Sequence, residues 1–263
     1  GVGFAAAPAG VLDPLIANLV RALIGSGRVA PADLVILNRS GARADYFGHR
    51  VSWAADVADL VARSEVVVVS VRPQDWPGLD LRAGGRLVIS FMAGVGMAAL
   101  AAAGGRVVRA MPNAAAEIGA SYTPWLAGPG VTAADRAAVA AVLGAIGPEE
   151  ELPDEDQIEL MTALSGAGPA YPALMASAML RFLTARGVAA DVAARAVEGT
   201  VCAAARLLEG RMAEAPALVQ TFIDYRGTTC AGLQAAEAAG FSAALETALE
   251  AATQKARQMR DCG

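Results

Sequence analysis

Residues 66–74 read VVVVSVRPQ, and the valine run at their head decides the architecture. Branched side chains are stiff at χ1 and fit a pleated strand better than a helix. A strand with one wet face alternates apolar and polar residues. An unbroken apolar run instead belongs to a strand covered on both faces, the usual condition of a parallel sheet flanked by helices. Upstream, residues 2–4 end a short apolar strand, 15–24 carry helical periodicity closed by Gly25-Ser26-Gly27, 34–37 form a second strand, and 54–62 a helix. Downstream, 86–90 and 106–110 are two more strands separated by a helix through 97–103, and 121–127 is a further strand. A helix over 132–146 follows, opened by Thr132 and Asp135 in a capping-box arrangement. Strand and helix in this alternation predict an α/β fold with a parallel sheet.

Residues 149–153, EEELP, are acidic and end in proline, and the domain boundary is placed there, giving a sheet domain over 1–153 and an all-α domain over 154–263. The second pattern is helical with breaks at Gly187, Gly210, Gly227 and Gly240. Near its start, 164–179 reads LSGAGPAYPALMASAM, small residues followed by Pro169, which suits the first turn of a helix. Such a stretch reads either as an ordinary helix start or as a loop that presents backbone N–H groups to a ligand at a helix N-terminus.

Composition narrows the function. With 21 Lys and Arg against 26 Asp and Glu the net charge is −5, which argues against a nucleic-acid surface. Mean hydropathy is +0.43, yet no apolar run is long enough to cross a bilayer, so no membrane partner is expected. Cys202, Cys230 and Cys262 lack metal-site spacing and His49 is the sole histidine, so neither a metal nor a Ser/His/Asp triad is expected. No basic, apolar leader is seen at the start, and the expected location is the cytoplasm.

Candidate chemistry gathers where strands end. The turn after the first strand, AAAPAGVLDP at 5–14, has one glycine, two prolines and Asp13, a poor cradle for a pyrophosphate. Asn38-Arg39-Ser40 follows the second strand, and reads either as a site for a ribose 2′-phosphate or as a polar turn. Val71-Arg72-Pro73 and Met111-Pro112-Asn113 follow two others at the same edge. In the helical half, 222–233 reads FIDYRGTTCAGL, with Gly227-Thr228-Thr229 at a helix N-terminus, which reads either as an ordinary structural cap or as a site whose N–H groups suit a carboxylate and whose hydroxyls suit a substrate nitrogen.

Taken together, these motifs resemble the pyrroline-5-carboxylate reductase family. LSGAGPAY at 164–171 resembles that family's SGxGPAY, and residues 226–259 resemble its GGTTxxGLxxLExxGF region. SVRPQ at 70–74, SFMAGV at 90–95 and RAMPN at 109–113 match its cofactor-side motifs in order. The resemblance implies a Rossmann-like parallel-sheet domain followed by an all-α dimerisation domain, and a homodimer at minimum. It implies hydride transfer from NAD(P)H, with NADPH preferred over NADH, to the C=N bond of 1-pyrroline-5-carboxylate, giving L-proline. Asn38, Arg39 and Ser40 would face the adenosine ribose and its phosphate; Val71, Arg72, Pro73, Ala93, Met111, Pro112 and Asn113 would line the nicotinamide half. Gly227, Thr228 and Thr229 would hold the substrate, with Thr229 the catalytic hydroxyl at the ring nitrogen and Ser165, Phe222, Asp224 and Arg226 around it.

Three departures stand out. The family's first turn, GFIGxGNMA, is GFAAAPAGVLDP here, with an insertion. Its Ser-Pro-Gly before Gly-Thr-Thr is Asp224-Tyr225-Arg226, which sets an acid near the expected substrate carboxylate, and Arg226 is expected to pair with Asp224 or the substrate. Phe222 replaces a small aliphatic residue. They leave open a different cyclic imine as substrate, or a non-catalytic relative with impaired dinucleotide binding. A dehydrogenase of the 6-phosphogluconate or hydroxyacid type is disfavoured, because Lys255, the one lysine, lies too near the chain end to serve as its catalytic base.

Overall fold

The computed structural model describes residues 2–6, 14–38, 41–43 and 46–262. Its strands are β1 (Val2–Ala6), β2 (Leu34–Leu37), β3 (Ser52–Trp53), β4 (Val66–Ser70), β5 (Leu87–Ser90), β6 (Arg106–Ala110), β7 (Thr123–Ala127) and β8 (Glu149–Glu151). They form one sheet in the order β3-β2-β1-β4-β5-β6-β7-β8. Neighbours run parallel except β6 and β7, which are antiparallel. Parallel return needs a long crossover, usually a helix. Between β6 and β7 there is only a short 3₁₀ turn, Ala114–Ile118, so the chain doubles back at the same edge. Helices α1 (Pro14–Gly25), α2 (Val57–Ala62), α3 (Met97–Leu100), α4 (Ala133–Leu143) and α5 (Glu155–Met161) complete this part.

The valine run behaves as a doubly covered strand should. Val67, Val68 and Val69 are fully buried. Val68, Ile89 and Val108 enter one apolar cluster and Val67, Val69, Val88 and Val107 another, so alternate residues of the same strands feed the two faces of the sheet. Thr132 and Asp135 form the expected capping box at α4.

The acidic segment is different from its reading. Glu149–Glu151, where the boundary was placed, is strand β8, paired in parallel with β7 through Thr123–Glu149 and Trp125–Glu151. Three glutamates have low strand propensity; here Trp125 Nε1 and Tyr122 Oη donate to Glu149 and Glu150, and Arg136 pairs with Glu151 at 2.9 Å. Compactness groups the chain otherwise than a break at 153/154. One unit is Gly1–Ala167 with Ala251–Gly263, the other Gly168–Glu250.

The second unit is helical, with α6 (Ala170–Thr184), α7 (Ala190–Glu198), α8 (Ala215–Asp224), α9 (Thr228–Ala238) and the first part of α10 (Phe241–Cys262). Gly187, Gly210 and Gly240 lie at the expected breaks with φ of 83°, 71° and 83°, the left-handed conformation that glycine adopts at little cost. No residue of α6 or α8 is buried within the chain. Leu174 is 69% exposed and Phe182 55%.

Candidate active site

The chain runs outward from β1 to β2 and β3, then returns to β4 on the other side of β1. In open sheets of this kind ligands bind beyond the carboxyl ends of the strands at such a reversal. Asn38 follows β2, and its Oδ1 is buried with no partner among the described residues. An orphaned acceptor there fits a ribose hydroxyl, which has a proton to donate. Arg39 and Ser40 lie outside the described residues, as does 7–13 in the first turn.

Val71 is half-buried after β4. Arg72 donates through Nε and Nη2 to both oxygens of Asp75, at 2.7 and 3.0 Å. This bidentate pair holds the Arg72 pKa above its ordinary value and turns its fork toward Asp75. Pro73 begins the short turn Pro73–Asp75. Ala93, in the loop after β5, packs on the buried trio Met111, Leu152 and Ile158. Pro112 is buried, and Asn113 is fully engaged. Its Oδ1 accepts from Ala115 N at 2.8 Å, and its Nδ2 donates to the Ser165 carbonyl at 2.9 Å. Asn113 therefore ties the end of β6 to the stretch around Ser165.

A helix does start in that stretch, with Pro169 as the N-cap of α6, but later than Ser165. Ser165 does not stand at a helix N-terminus. Thr162–Gly166 continues α5 as one π-type turn, and the next helix starts only at Ala170. Ser165 Oγ donates back to the Met161 carbonyl at 2.9 Å. Small residues and glycines read as loop; what closes the turn is the Ala167 N–H donating to the Thr162 carbonyl at 3.2 Å, and Thr162 Oγ1 makes a back-bond like that of Ser165, to the Ile158 carbonyl at 2.8 Å. Single π turns of this kind recur at functional sites.

Within the helical unit, Gly227 is the N-cap of α9, in extended conformation and with no side-chain cap. The first N–H groups of α9 thus have no side-chain cap and are open to water or a ligand. Among the described residues neither Thr228 nor Thr229 gives its hydroxyl an intrachain partner, and both are exposed. An open recess of about 630 Å³ adjoins this end, lined by Ile223, Asp224, Arg226, Gly227, Cys230, Ala231 and Gln234. Asp224, Arg226 and Gly227 are therefore brought together, and Phe222 is 43% exposed on the preceding turn. Asp224 accepts from Gln220 Nε2 at 2.8 Å; no ion pair joins it to Arg226 among the described residues. Arg226 has a φ of 56°.

Sequence reasoning passed over two groups. Cys230 and Gln234 line the recess, one turn apart on the face of α9 that carries Gly227, a spacing legible once the helix start is fixed. Arg109 is fully buried, and its Nη1 donates to Glu159 at 2.7 Å and to Glu155 at 2.9 Å. The signal was a second arginine inside strand RVVRA, between valine and alanine, a charge that has to find partners. Among the described residues no cluster of three His, Cys, Asp or Glu is arranged for a metal ion.

The family model for pyrroline-5-carboxylate reductase dimerisation matches residues 155–259. Pyrroline-5-carboxylate reductase of Pseudomonas aeruginosa is 33% identical over 263 residues, covering 93% of this chain and 94% of its own length. The solved pyrroline-5-carboxylate reductase of Coxiella burnetii is 28% identical with a TM-score of 0.85, covering 98% of this chain and 97% of that one. The Plasmodium falciparum pyrroline carboxylate reductase with NADP bound has the same fold, with a TM-score of 0.81 at 20% identity and 98% and 97% coverage. The protein is an oxidoreductase that uses a nicotinamide dinucleotide on a CH–NH group, and the chain belongs to the pyrroline-5-carboxylate reductase family.

Proposed function

We propose that this protein reduces the C=N bond of 1-pyrroline-5-carboxylate to L-proline, with NADPH preferred over NADH, as a homodimer in the cytoplasm. Residues 1–153 serve the dinucleotide, and 154–263 serve the substrate and the dimer. The observation that carries this reading is the uncapped N-terminus of α9 opening on the recess beside Asp224, Arg226 and Gly227. Three aligned N–H groups at the positive end of a helix suit a ring carboxylate. Support for the dinucleotide comes from the relative with NADP bound and from the sheet reversal with Asn38, Val71, Pro73, Ala93 and Met111 beyond its strand ends.

The nicotinamide supplies a hydride to the imine carbon. The chain's own residues bind and orient. The α9 N–H groups of Thr228, Thr229 and Cys230 hold the carboxylate, and Thr229 Oγ1 hydrogen-bonds the ring nitrogen, fixing the imine face. A protonated cyclic imine is already electrophilic, so orientation contributes more than a strong general acid. Asn38, with Arg39 and Ser40, serves the ribose and its phosphate; Val71, Arg72, Pro73, Ala93, Met111 and Pro112 serve the nicotinamide half, and Asn113 steadies them through Ser165.

A second reading rests on Asp224 lining the recess. A carboxylate there opposes a ring carboxylate, and favours a cyclic imine without one. Rates on a panel of cyclic imines with and without a ring carboxylate decide between the two. The first reading expects the highest kcat/KM on 1-pyrroline-5-carboxylate, and expects Thr229→Val to lower kcat about tenfold, the loss of one well-placed hydrogen bond. A panel led by an imine lacking the carboxylate overturns it in favour of the second.

A further inference from the structure

The segments assigned to the nicotinamide side converge on one buried charge. Arg109 stands on β6 just before the 111–113 tract. Its Nη1 holds Glu155 and Glu159 on α5. Glu155 Oε1 also accepts from the backbone N of Met97, at 2.8 Å, where the loop after β5 enters α3. The last turns of α10 close over the same loop. Arg260 Nη1 reaches Asp156 at 3.1 Å, and a Cβ added at Gly94 or Gly96 would run into Met259 or Arg260. On the far side, α5 continues into the turn whose Ser165 carbonyl accepts from Asn113.

The pair is poorly built for stability. Arg109 and Glu159 are both wholly desolvated, and Arg109 Nε and Nη2 and Glu159 Oε2 find no partner among the described residues. Buried ion pairs with unsatisfied atoms are often no better than apolar residues of the same volume. What such a pair supplies is a fixed distance among the elements it joins.

We propose that Arg109 is a positioning residue for hydride transfer: through Glu155 and Glu159 it sets the spacing between the 91–97 loop and the 111–113 tract. This role presupposes that residues 93 and 111–113 line the nicotinamide. Misplacement of a reacting group by about 1 Å can cost on the order of a hundredfold in rate, so a change of spacing is read chiefly in kcat.

The test is the double variant Arg109→Met/Glu159→Leu, which removes the two wholly buried charges and leaves Glu155, part-exposed, with the Met97 N–H, with Arg109→Lys beside it. The double variant is expected to unfold no earlier than wild type, to lose about thirtyfold in kcat with KM for the imine within about threefold, and to bind NADPH about tenfold more weakly. Its affinity for 2′-phospho-ADP-ribose, which lacks the nicotinamide, is expected to be unchanged. Arg109→Lys is expected to keep kcat within about threefold, because one nitrogen carries both bonds. Wild-type kcat in the double variant, or an equal loss of both ligands, overturns the inference. A wild-type protein that binds NADPH no better than the fragment overturns the nicotinamide assignment instead. Arg260→Met, at the rim of the cluster, gives an arm that leaves the buried pair in place; about threefold weaker NADPH binding with the fragment unchanged is expected, and no change counts against the proposal.

Discussion

Arg226 holds a φ of 56°, a conformation that costs a residue with a Cβ about 1–2 kcal/mol. The family motif has glycine at this place. Arg226→Gly is expected to stabilise the protein by about 1 kcal/mol, raising the thermal midpoint by about 2–4 °C; an unchanged or lower midpoint shows that the arginine earns its conformation through contacts. The departure from Ser-Pro-Gly was plain in the sequence, but its backbone consequence was not, since a dihedral angle is set by where α8 stops and α9 starts. Of the two partners offered for Arg226, Asp224 or the substrate, the first is engaged by Gln220 instead. Gln220 stands one helical turn before it on α8, and an i,i+4 contact within a helix forms more readily than one with Arg226 beyond the helix end. Arg109 was quoted as part of a motif and not as a charge. Its meaning came only with Glu155 and Glu159, remote in sequence and adjacent in space.

At the scale of elements, the parallel strands were legible because each is a short apolar run between turn signals, and 66–70 most of all. β3 escaped notice because two residues, Ser52 and Trp53, carry no periodicity. β8 escaped because its glutamates hold their places by side-chain contacts and not by propensity. The α4 cap was legible and has energetic content. Arg106 donates to both oxygens of Asp135 at 2.7 and 2.9 Å, and Thr132 adds its backbone N–H and hydroxyl. The Arg106 guanidinium, more than any other group, holds the Asp135 carboxyl well below its ordinary 3.8. A carboxyl depressed in the folded state contributes stability that is complete above the unfolded value and is lost as pH falls through the folded one. Asp135→Asn is therefore expected to cost about 1 kcal/mol at neutral pH, and the gap between the urea midpoints of variant and wild type should close as pH falls below about 3.8. A gap that stays constant into acid contradicts the assignment.

For the whole molecule, the helical unit leaves α6 and α8 without a buried residue, and the matched dimerisation region spans both helices. Large apolar side chains left this bare ordinarily meet another protein surface. Leu174→Glu is expected to shift the proposed homodimer to monomer in sedimentation, with activity falling in parallel; an unshifted dimer places the contact elsewhere. Among the described residues the edges of the sheet are poor rivals. Its order ends in β3 on one side and β8 on the other. The first is two residues long, and the second is a row of glutamates, both means by which exposed strand edges are kept from pairing with a neighbour. Among the described residues, then, the main-chain template that strand-by-strand fibril growth requires is two residues long at one rim and lined with carboxylates at the other.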